Sequence, residues 1–387
     1  MKKKILILIS GFTHGGTNKS LVNFLGVSDF EKYDIEVFSL YNDQGPYKDI
    51  LSKYNVLDEK IIFPKVFHLK KHKKYKSKFI NLYYRFVVLY TKAGIHLFRK
   101  RFFSYIGKNL SEKGYDVVIA FQEGFTTELS TYIDAKLHIA WVRCDYSRYI
   151  EMCKRDETQV YEKVDYIIAV SNYTAKVMQK YIPSCKDKIK GIHNIIDCEH
   201  IISQSEENIT DVCFDDDVFN IVSIGRMDPV KRFSYIPEIS AELKRRGVVF
   251  KWFIIGDGGL EKNSIRQGVS KYNLHEEVVL LGAKENPYPY IKKSSVLVTL
   301  SSSEACPNVV NEAKILHVPV VSTNFPVAKE YLENDFNGII CPIEKIADKL
   351  CDIYFDKHLF DELKRNVRDF EYDNNEIRDS IEKIINS

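Results

Sequence analysis

The chain has 387 residues, of which 45% are hydrophobic and 28% charged, a composition typical of globular proteins and unlike that of disordered or fibrous chains. This length predicts two or three domains, and we take two as the working number. The formal net charge is only +3, and the eight cysteines include no C-x-x-C pair. That spacing argues against a zinc site or a redox motif and favours reduced thiols in the cytosol.

The first residues, MKKKILILIS, are similar to a signal peptide, but the apolar run ends at Ser10-Gly11 without a small-residue cleavage site. We therefore predict a first buried strand there. No run reaches the ~18 apolar residues that a membrane span needs, so any membrane contact is expected to be peripheral. Gly15 and Gly16 then precede a predicted helix. Glycines at that point let a ligand approach the backbone, although the full dinucleotide and P-loop patterns are missing.

Short apolar runs alternate with helical spacing through the first half of the chain. This alternation predicts a parallel sheet covered on both faces, as in a Rossmann-like domain. The runs that we predict to be strands are KKILILIS, YDIEVFSL, YDVVIAF, KLHIAWV and VDYIIAV, and TNKSLVNFLG and NYTAKVMQKYI have helical spacing.

One segment of this half, residues 60–111, contains 14 Lys and Arg residues, no Asp or Glu and twelve aromatic residues. Such a mixture suits contact with an anionic membrane surface, where cations meet head groups and rings lie at the interface. A solvated pair of basic helices with inward-facing aromatics is the alternative. Nucleic acid is a third possibility that we set aside, because no recognised DNA- or RNA-binding module accompanies the charge.

The second half repeats the alternation with VFNIVSIG, FKWFIIG, EVVLLG, SVLVTLS and VPVVSTN. Residues 199–217 are polar and acidic, without a clear period, and suit a linker. Ile377, Ile381 and Ile384 give the C-terminal segment one apolar stripe, which needs a surface to dock on. We therefore predict domains at 1–198 and 218–365, joined by a linker at 199–217, and a C-terminal helix at 366–387.

Two cations follow the first strand of the second half. In IVSIGRMDPVKRFSY, Arg226 and Lys231 lie on a turn after the strand end, where they can neutralise a pyrophosphate. Ordinary surface basicity is the alternative. After the next strand, FIIGDGGLE places Gly256 and Gly258 in a turn with room for a ligand, or in a tight turn with only a structural role.

Two carboxylates flank a Pro-Asn pair in SSSEACPNVVNEAKILHVPVV. Glu304 lies in the loop after a predicted strand, Pro307 is expected in the first turn of a helix, and Glu312 lies inside that helix. Amides at the start of the helix suit a phosphate, and each carboxylate can accept two hydrogen bonds from a diol. A hydrolytic acid/base pair and plain surface charges remain alternatives.

Taken in order, these pieces resemble the GT-B glycosyltransferases of family 4, which are retaining enzymes with nucleotide-sugar donors. Gly15-Gly16 is similar to the glycine loop of that family, Arg226 and Lys231 to its diphosphate-binding pair, and residues 304–312 to its E-x7-E motif. VSN at 170–172, HNIID at 193–197, PVVS and FNGIICP agree as well. The resemblance implies an α/β, GT-B fold with two Rossmann-like domains facing across a cleft and the C-terminal helix packing back.

The resemblance also implies a role for each matched position. Glu312 would hold the donor ribose and Glu304 the sugar hydroxyls, while Arg226 and Lys231 would stabilise the leaving diphosphate without a metal ion or other cofactor. The phosphate would meet amides near Cys306, Pro307, Asn308 and Val309, and the base would lie near Gly256, Gly258, Ala283, Lys284 and Glu285.

One position departs from the family pattern W-x-H-x-D. This chain has IAWVRCDYS, with Arg143 in place of the histidine and Asp145 retained. Arginine carries a permanent charge and cannot act as a base. It is expected to contact a donor or acceptor phosphate, or to change donor choice or weaken activity.

These features together predict a retaining glycosyltransferase that moves a hexose-type sugar from a nucleotide sugar, expected to be a UDP-sugar, to a lipid-linked saccharide. The expected process is synthesis of bacterial capsule, O-antigen or exopolysaccharide, and the expected location is the cytoplasmic face of the cell membrane. A GT-B epimerase or phosphorylase, and a non-catalytic partner that binds nucleotide or membrane, remain alternatives. A nicotinamide oxidoreductase is poorly supported, because the dinucleotide fingerprint is missing.

Overall fold

The computed structural model of the chain describes residues 2–12, 15–27, 30–41, 45, 47–57, 99–215 and 217–387. Most of the basic aromatic segment predicted at 60–111, namely residues 60–98, lies outside the described residues. Its remaining part, residues 99–111, is helical.

The chain forms two compact units. The first contains residues 1–169, 177–192 and 380–387, and the second contains residues 170–176 and 193–379. Each unit is built on a parallel sheet, so the predicted α/β fold with two Rossmann-like domains is confirmed. The strands are β1 Lys4–Ile9, β2 Asp34–Ser39, β3 Asn55–Val56, β4 Tyr115–Ala120, β5 Ala135–Val142, β6 Tyr166–Ala169, β7 Ile189–Gly191, β8 Phe219–Ile224, β9 Phe250–Ile255, β10 Val278–Gly282, β11 Val296–Thr299, β12 Val320–Thr323 and β13 Gly338–Cys341.

Among the described residues, the first sheet has the strand order β3-β2-β1-β4-β5-β6-β7 and the second β10-β9-β8-β11-β12-β13. In each sheet the second and third strands lie on one side of the first strand, β1 or β8, and the later strands lie on its other side, as in doubly wound sheets. All ten strands predicted from apolar runs are present. Three strands were not predicted: β3 and β7, of two and three residues, are too short for a sequence pattern to show, and β13 has four residues.

Helices connect the strands and cover the faces of the sheets. They are α1 Gly16–Val27, α2 Tyr47–Leu51, α3 99–111, α4 Phe125–Ser130, α5 Tyr146–Cys153, α6 Thr158–Tyr161, α7 Asn172–Tyr181, α8 Cys198–Gln204, α9 Ile236–Arg245, α10 Lys262–Lys271, α11 Tyr288–Lys292, α12 Asn308–Ile315, α13 Ala328–Tyr331, α14 Ile346–Phe355, α15 Lys357–Arg368 and α16 Asn374–Ile385.

Both faces of the second sheet are buried. Successive side chains of a strand point to opposite sides of the sheet, so neighbouring residues join different core clusters. In β9, Trp252 joins the core cluster on one face and Phe253 the cluster on the other. In β8, Ile221 and Val222 divide in the same way. Burial on both faces explains why the strands of this unit are nearly continuous apolar runs.

Two of the three residues of the apolar stripe predicted in the C-terminal segment are buried, and Ile377 is half-buried. Ile381 and Ile384 of α16 are 1% and 8% exposed. In the first unit, the Lys3 Nζ donates to the carbonyl of Ile385 at 2.9 Å, and Lys32 forms an ion pair with Glu382 at 2.7 Å. The last residues of the chain therefore dock on the first unit.

The polar segment predicted as a linker, residues 199–217, belongs to the second unit. It begins within α8, which is capped by the Asp197 side chain and buries Ile201. Apart from residues 170–176, which also belong to the second unit, the chain passes from the first unit to the second after residue 192, shortly before the boundary expected from composition.

Candidate functional site

The loops that carry most of the predicted site residues lie along one edge of the second sheet. β10, β9, β8 and β11 are neighbours and parallel, so their carboxyl ends meet the same edge. Three strand spacings of ~4.8 Å place the outer two loops about 14 Å apart. The loops contain residues 225–231 after β8, 256–259 after β9, 283–285 after β10 and 301–307 after β11.

Two neighbouring loops of this edge touch through glycines. A Cβ on Gly256 would lie 1.9 Å from the carbonyl oxygen of Gly225, and a Cβ on Gly259 would lie 2.1 Å from that of Met227. Gly256 and Gly258 also have positive φ angles, +144° and +71°. The glycines predicted in this turn are therefore required by the packing and the backbone conformation, whether or not a ligand binds there.

Lys231 and Glu304 form an ion pair at the centre of the edge. The Lys231 Nζ lies 2.5 Å from the Glu304 Oε1, and the side chains are only 22% and 15% exposed. Their loops follow β8 and β11, which are neighbours in the sheet although the residues are far apart in sequence. The Ser301 hydroxyl also donates to the Glu304 Oε1 at 2.6 Å. The structure thus brings together one predicted cation and one predicted carboxylate.

The other predicted cation, Arg226, has a different partner. Its guanidinium lies 3.0 Å from the carboxylate of Asp228 on the same turn, and its side chain is 81% exposed. Arg226 therefore lies on the turn that leads to Lys231, with its charge directed to a neighbouring carboxylate.

Glu312 lies inside α12, as predicted, and is only 6% exposed. The helix begins at Asn308, so Pro307 is the N-cap residue and lies one position before the predicted first turn. The amide of Asn308, predicted to meet a phosphate, donates to the carbonyl of Cys306 at 2.9 Å. The loop thus makes a tight turn directly before the helix.

Asn194 fixes this loop and was not among the predicted site residues. Its side-chain nitrogen lies 3.0 Å from the Cys306 Sγ and 3.2 Å from the Asn308 Oδ1, and the residue is 5% exposed. The hydroxyl of Tyr372 donates to its carbonyl at 2.6 Å. Asn194 belongs to the HNIID stretch, which was noticed in the sequence without a role for the asparagine.

The buried side of α12 contains a lysine. The Lys314 Nζ donates to the carbonyl of Tyr331 at 2.6 Å and lies 4.0 Å from the ring centroid of Phe370. Lys314 is 4% exposed, and burial lowers its pKa to about 8. A cation is therefore enclosed two positions after Glu312 in the same helix.

At the outer end of the edge, Ala283 and Glu285 are exposed after β10. Lys284, between them, forms an ion pair with Asp211 at 2.5 Å, and the hydroxyl of Tyr290 donates to the same carboxylate at 2.7 Å. The hydrogen bonds from Lys284 and Tyr290 lower the pKa of Asp211 below its ordinary value.

In the first unit, Gly15 and Gly16 lie at the start of α1, after β1. A Cβ on either would meet no described heavy atom within 4 Å. Packing within the described part of the chain therefore does not explain these glycines, unlike Gly256.

Arg143 directly follows β5, two strands from β1 in the sheet. Its guanidinium lies 3.7 Å from the ring centroid of Phe121 and 4.6 Å from that of Trp141, and its Nε donates to the Phe121 carbonyl at 2.9 Å. Asp145 caps α5, accepting from the amide and the hydroxyl of Ser147 at 3.1 and 2.6 Å. Asp145 thus has a structural role, while the Arg143 cation is fixed at the carboxyl edge of the first sheet.

The described residues include no cluster of three or more His, Cys, Asp or Glu side chains that could hold a metal ion. In the same part of the chain, no helix has the length and apolar character needed to cross a bilayer.

Parts of this chain are similar in sequence to glycosyltransferases. Residues 204–370 match the family described as "Glycosyl transferases group 1". The matched residues include the four loops at the carboxyl edge of the second sheet. The chain is 29% identical over 200 residues to an uncharacterized glycosyltransferase of Methanocaldococcus jannaschii, across 51% of this chain and 47% of the relative.

A second relative is the N-acetylgalactosamine-N,N'-diacetylbacillosaminyl-diphospho-undecaprenol 4-alpha-N-acetylgalactosaminyltransferase of Campylobacter jejuni. It is 28% identical over 186 residues, which cover 48% of each chain. The chain thus spans about half the length of these curated relatives.

Among solved structures, the Anabaena protein HepE in complex with UDP superposes with a TM-score of 0.71 at 14% identity, over 99% of each chain. Agreement over the whole length supports the GT-B fold.

Proposed function

We propose that this chain is a retaining glycosyltransferase that moves a hexose-type sugar from a UDP-sugar to a lipid-linked saccharide, in the synthesis of a bacterial surface polysaccharide such as capsule, O-antigen or exopolysaccharide. The observation that carries the proposal is the Lys231–Glu304 pair at the carboxyl edge of the second sheet, inside the part of the chain that matches the group 1 family. The neighbour with bound UDP supports the choice of nucleotide, and the Campylobacter relative supports a lipid-linked acceptor.

The reaction needs a group that stabilises the departing diphosphate. Lys231 supplies a fixed positive charge of low exposure, and Arg226 supplies a second one on the same turn once it leaves Asp228. A preorganised cation next to developing negative charge lowers the barrier more in a site with little water than in bulk solvent. These two side chains would do what a metal ion does in other transferases, so we propose that no metal is required.

The two carboxylates would bind the parts of the donor on either side of the phosphates. Glu304 would accept hydrogen bonds from the sugar hydroxyls, and Glu312 from the ribose diol. The loop from Cys306 to Val309 would lie against the phosphates, and residues 256–258 and 283–285 near the base. The strand spacing agrees with an extended nucleotide sugar, because the outer loops of this edge are about 14 Å apart.

The first unit would bind the acceptor. Gly15, Gly16 and Arg143 all follow strands at the carboxyl edge of its sheet, where ligands of open parallel sheets bind. Arg143 replaces an ionisable histidine by a permanent cation held on two rings, which suits an anionic group such as an acceptor phosphate.

We further propose that the segment 60–111 holds the protein on the anionic inner face of the cell membrane. In its described part, Lys100, Arg101, Tyr105 and Lys108 of α3 are exposed, and Tyr105 is 62% exposed. A helix face with three cations and one ring suits a lipid head-group layer. Vesicles that contain anionic lipid should sediment with the protein at low salt, whereas neutral vesicles should not, and the triple exchange of these three cations to Glu should abolish the difference. If the triple variant sedimented with anionic vesicles as strongly as wild type, the proposal would be contradicted.

The function is tested with purified protein, a panel of nucleotide sugars and a lipid-linked saccharide extract, by following release of free nucleoside diphosphate with and without acceptor. Release that requires one donor together with the acceptor supports a glycosyltransferase, and the anomeric configuration of the product tests retention. Conversion of a donor without acceptor would instead indicate an epimerase, and binding without release would indicate a non-catalytic protein.

A further inference from the structure

A glutamate that the proposed reaction does not yet use lies at the carboxyl edge of the first sheet. β4 lies between β1 and β5 and is parallel to both, so the loop after β4, residues 121–124, lies between the loops that hold Ser10 and Arg143. Two strand spacings of ~4.8 Å place these outer loops about 10 Å apart. Glu123 belongs to the middle loop. It therefore lies on the same edge as Arg143, the cation proposed to meet the acceptor.

Glu123 and Arg143 are held by bonds between the same two loops. The backbone amide of Arg143 donates to the Glu123 Oε2 at 2.9 Å, and the Arg143 Nε donates to the carbonyl of Phe121 at 2.9 Å. The guanidinium also lies 3.7 Å from the ring centroid of Phe121. A carboxylate and a cation are thus fixed on neighbouring loops before a ligand binds, which lowers the entropic cost of binding one.

The loop that carries the carboxylate is itself well fixed. The side-chain nitrogen of Gln122 donates to the hydroxyl of Ser10 and joins this loop to the one after β1. The carbonyl of Gln122 accepts from the hydroxyls of Thr126 and Thr127. Gly124 has a φ of +89°, a conformation that favours glycine. The conformation of the loop is therefore determined on both sides of the glutamate.

The Glu123 carboxylate keeps acceptor positions open to a ligand. The residue is half-buried, and its Oε1 accepts from no backbone amide or hydroxyl of the described residues and is not enclosed. The Cys144 thiol lies beside it, and burial and then the charge of Glu123 raise the pKa of this thiol well above its ordinary value. A thiol is a weak donor, whereas a carboxylate has about four lone-pair sites. Glu123 can therefore accept further hydrogen bonds.

The two fixed charges suit different parts of one ligand. The Arg143 cation suits a phosphate, but a phosphate beside Glu123 would meet a negative charge. A neutral hydroxyl can instead donate to the open oxygen of Glu123. A sugar that carries a phosphate offers both groups.

We propose that Glu123 is a substrate-binding residue that accepts a hydrogen bond from a hydroxyl of the acceptor sugar, while Arg143 binds a phosphate of the same acceptor. Calling this ligand the acceptor rests on the proposed function, whereas binding of a phosphorylated sugar at this edge does not. The carboxylate would select acceptors that present a hydroxyl at the right distance from the phosphate.

Direct binding tests the site without any reaction. The 1-phosphates of glucose, galactose, N-acetylglucosamine and N-acetylgalactosamine, and inorganic phosphate, are titrated into the full-length protein in excess UDP and followed by ligand-observed NMR. We expect at least one sugar phosphate to bind more tightly than inorganic phosphate. Glu123→Gln should weaken that sugar phosphate by about tenfold and leave inorganic phosphate no weaker, because only a hydrogen bond to the carboxylate is lost. Arg143→Gln should weaken both.

Glu123→Gln also separates ligand binding from a purely structural role. The amide oxygen of glutamine can still accept from the Arg143 amide, so the variant should melt as wild type, while its nitrogen places a donor where an acceptor is needed. Glu112→Gln, at an exposed glutamate of the same unit, is the control and should bind as wild type. If no sugar phosphate binds more tightly than inorganic phosphate, or if Glu123→Gln binds it as wild type, the inference is wrong.

Kinetics then test the role in transfer. Glu123→Gln should raise the acceptor KM by about tenfold and leave the donor KM unchanged. Binding of a sugar phosphate that depends on Glu123, in a protein that shows no transfer with any donor, would keep the site and reject the proposed function. Transfer by Glu123→Gln with an unchanged acceptor KM would keep the function and reject the role of Glu123.

Discussion

Replacing Lys314 by Met should change how the stability of the second unit depends on pH. Burial lowers the pKa of Lys314 from 10.5 to about 8. Each pKa unit corresponds to about 1.36 kcal/mol, so the buried charge costs the folded state about 3 kcal/mol near neutral pH. The hydrogen bond from its Nζ to the carbonyl of Tyr331 offsets part of this cost, because it satisfies a buried acceptor.

The sign follows from proton binding. Between pH 8 and 10.5 the unfolded chain holds the Lys314 proton more tightly than the folded chain, so the free energy of unfolding rises with pH in this window. The Met variant lacks this titration. The stability of wild type relative to the Met variant should therefore increase by about 2.5 kcal/mol between pH 7 and pH 10.

The assay uses the two tryptophans of the chain. Trp141 lies in the first unit and Trp252 in the second, so in a Trp141→Phe background the fluorescence reports unfolding of the second unit alone. Urea unfolding of this background protein, with and without the Lys314→Met exchange, is measured at pH 7 and pH 10. Lys293→Met, at an exposed lysine of the same unit, is the control and should show no pH-dependent difference. A Lys314→Met difference that stays constant with pH would refute the inference that this lysine is charged and enclosed.

Four further exchanges test the site. Lys231→Ala should lower kcat by a factor on the order of 10² to 10³, with little change in melting temperature, whereas the exposed Lys293→Ala should behave as wild type; equal activity of Lys231→Ala would reject its role at the diphosphate. Gly256→Ala should destabilise the second unit by at least about 2 kcal/mol in urea, because its Cβ would lie 1.9 Å from a carbonyl oxygen, and a neutral effect would show that the two loops can separate freely. Asn194→Ala should raise the donor KM by about tenfold, since the loop before α12 loses both side-chain contacts, and an unchanged KM would leave Asn194 a purely structural residue. Arg143→Gln should raise the acceptor KM by about tenfold without changing donor binding measured by calorimetry, and a change in donor binding instead would assign Arg143 to the other substrate.

The sequence predicted the parts of the fold that depend on local pattern. Ten strands were found because each is a nearly continuous apolar run, which a strand buried on both faces requires. β3 and β7 were missed because two or three residues do not establish a pattern, and β13 lies in the FNGIICP stretch, which was used only for the family resemblance. Glu312 was correctly placed inside a helix, since Pro307 and the apolar spacing after it indicate a helix start.

Contacts between distant residues could not be predicted in the same way. Lys231 and Glu304 are 73 positions apart, and they meet because β8 and β11 are neighbours while β9 and β10 lie on the other side of β8. Asn194 reaches the loop before α12 across 112 positions. Arg226 and Asp228 are close in sequence, but only the conformation of their turn decides that they form an ion pair.

The Lys231–Glu304 pair links the structure to the proposed chemistry. In this structure the ammonium and the carboxylate satisfy one another at low exposure, so neither charge is buried without a partner. A nucleotide sugar offers a replacement for each: the diphosphate is a stronger partner for Lys231, and the sugar hydroxyls donate to Glu304. Donor binding would therefore exchange one ion pair for two sets of contacts, an ion pair between Lys231 and the diphosphate and hydrogen bonds from the sugar hydroxyls to Glu304. Removing only Glu304 should then strengthen diphosphate binding and weaken discrimination between sugars. Removing only Lys231 should weaken diphosphate binding and strengthen discrimination between sugars. Two independent surface charges would not produce this contrast.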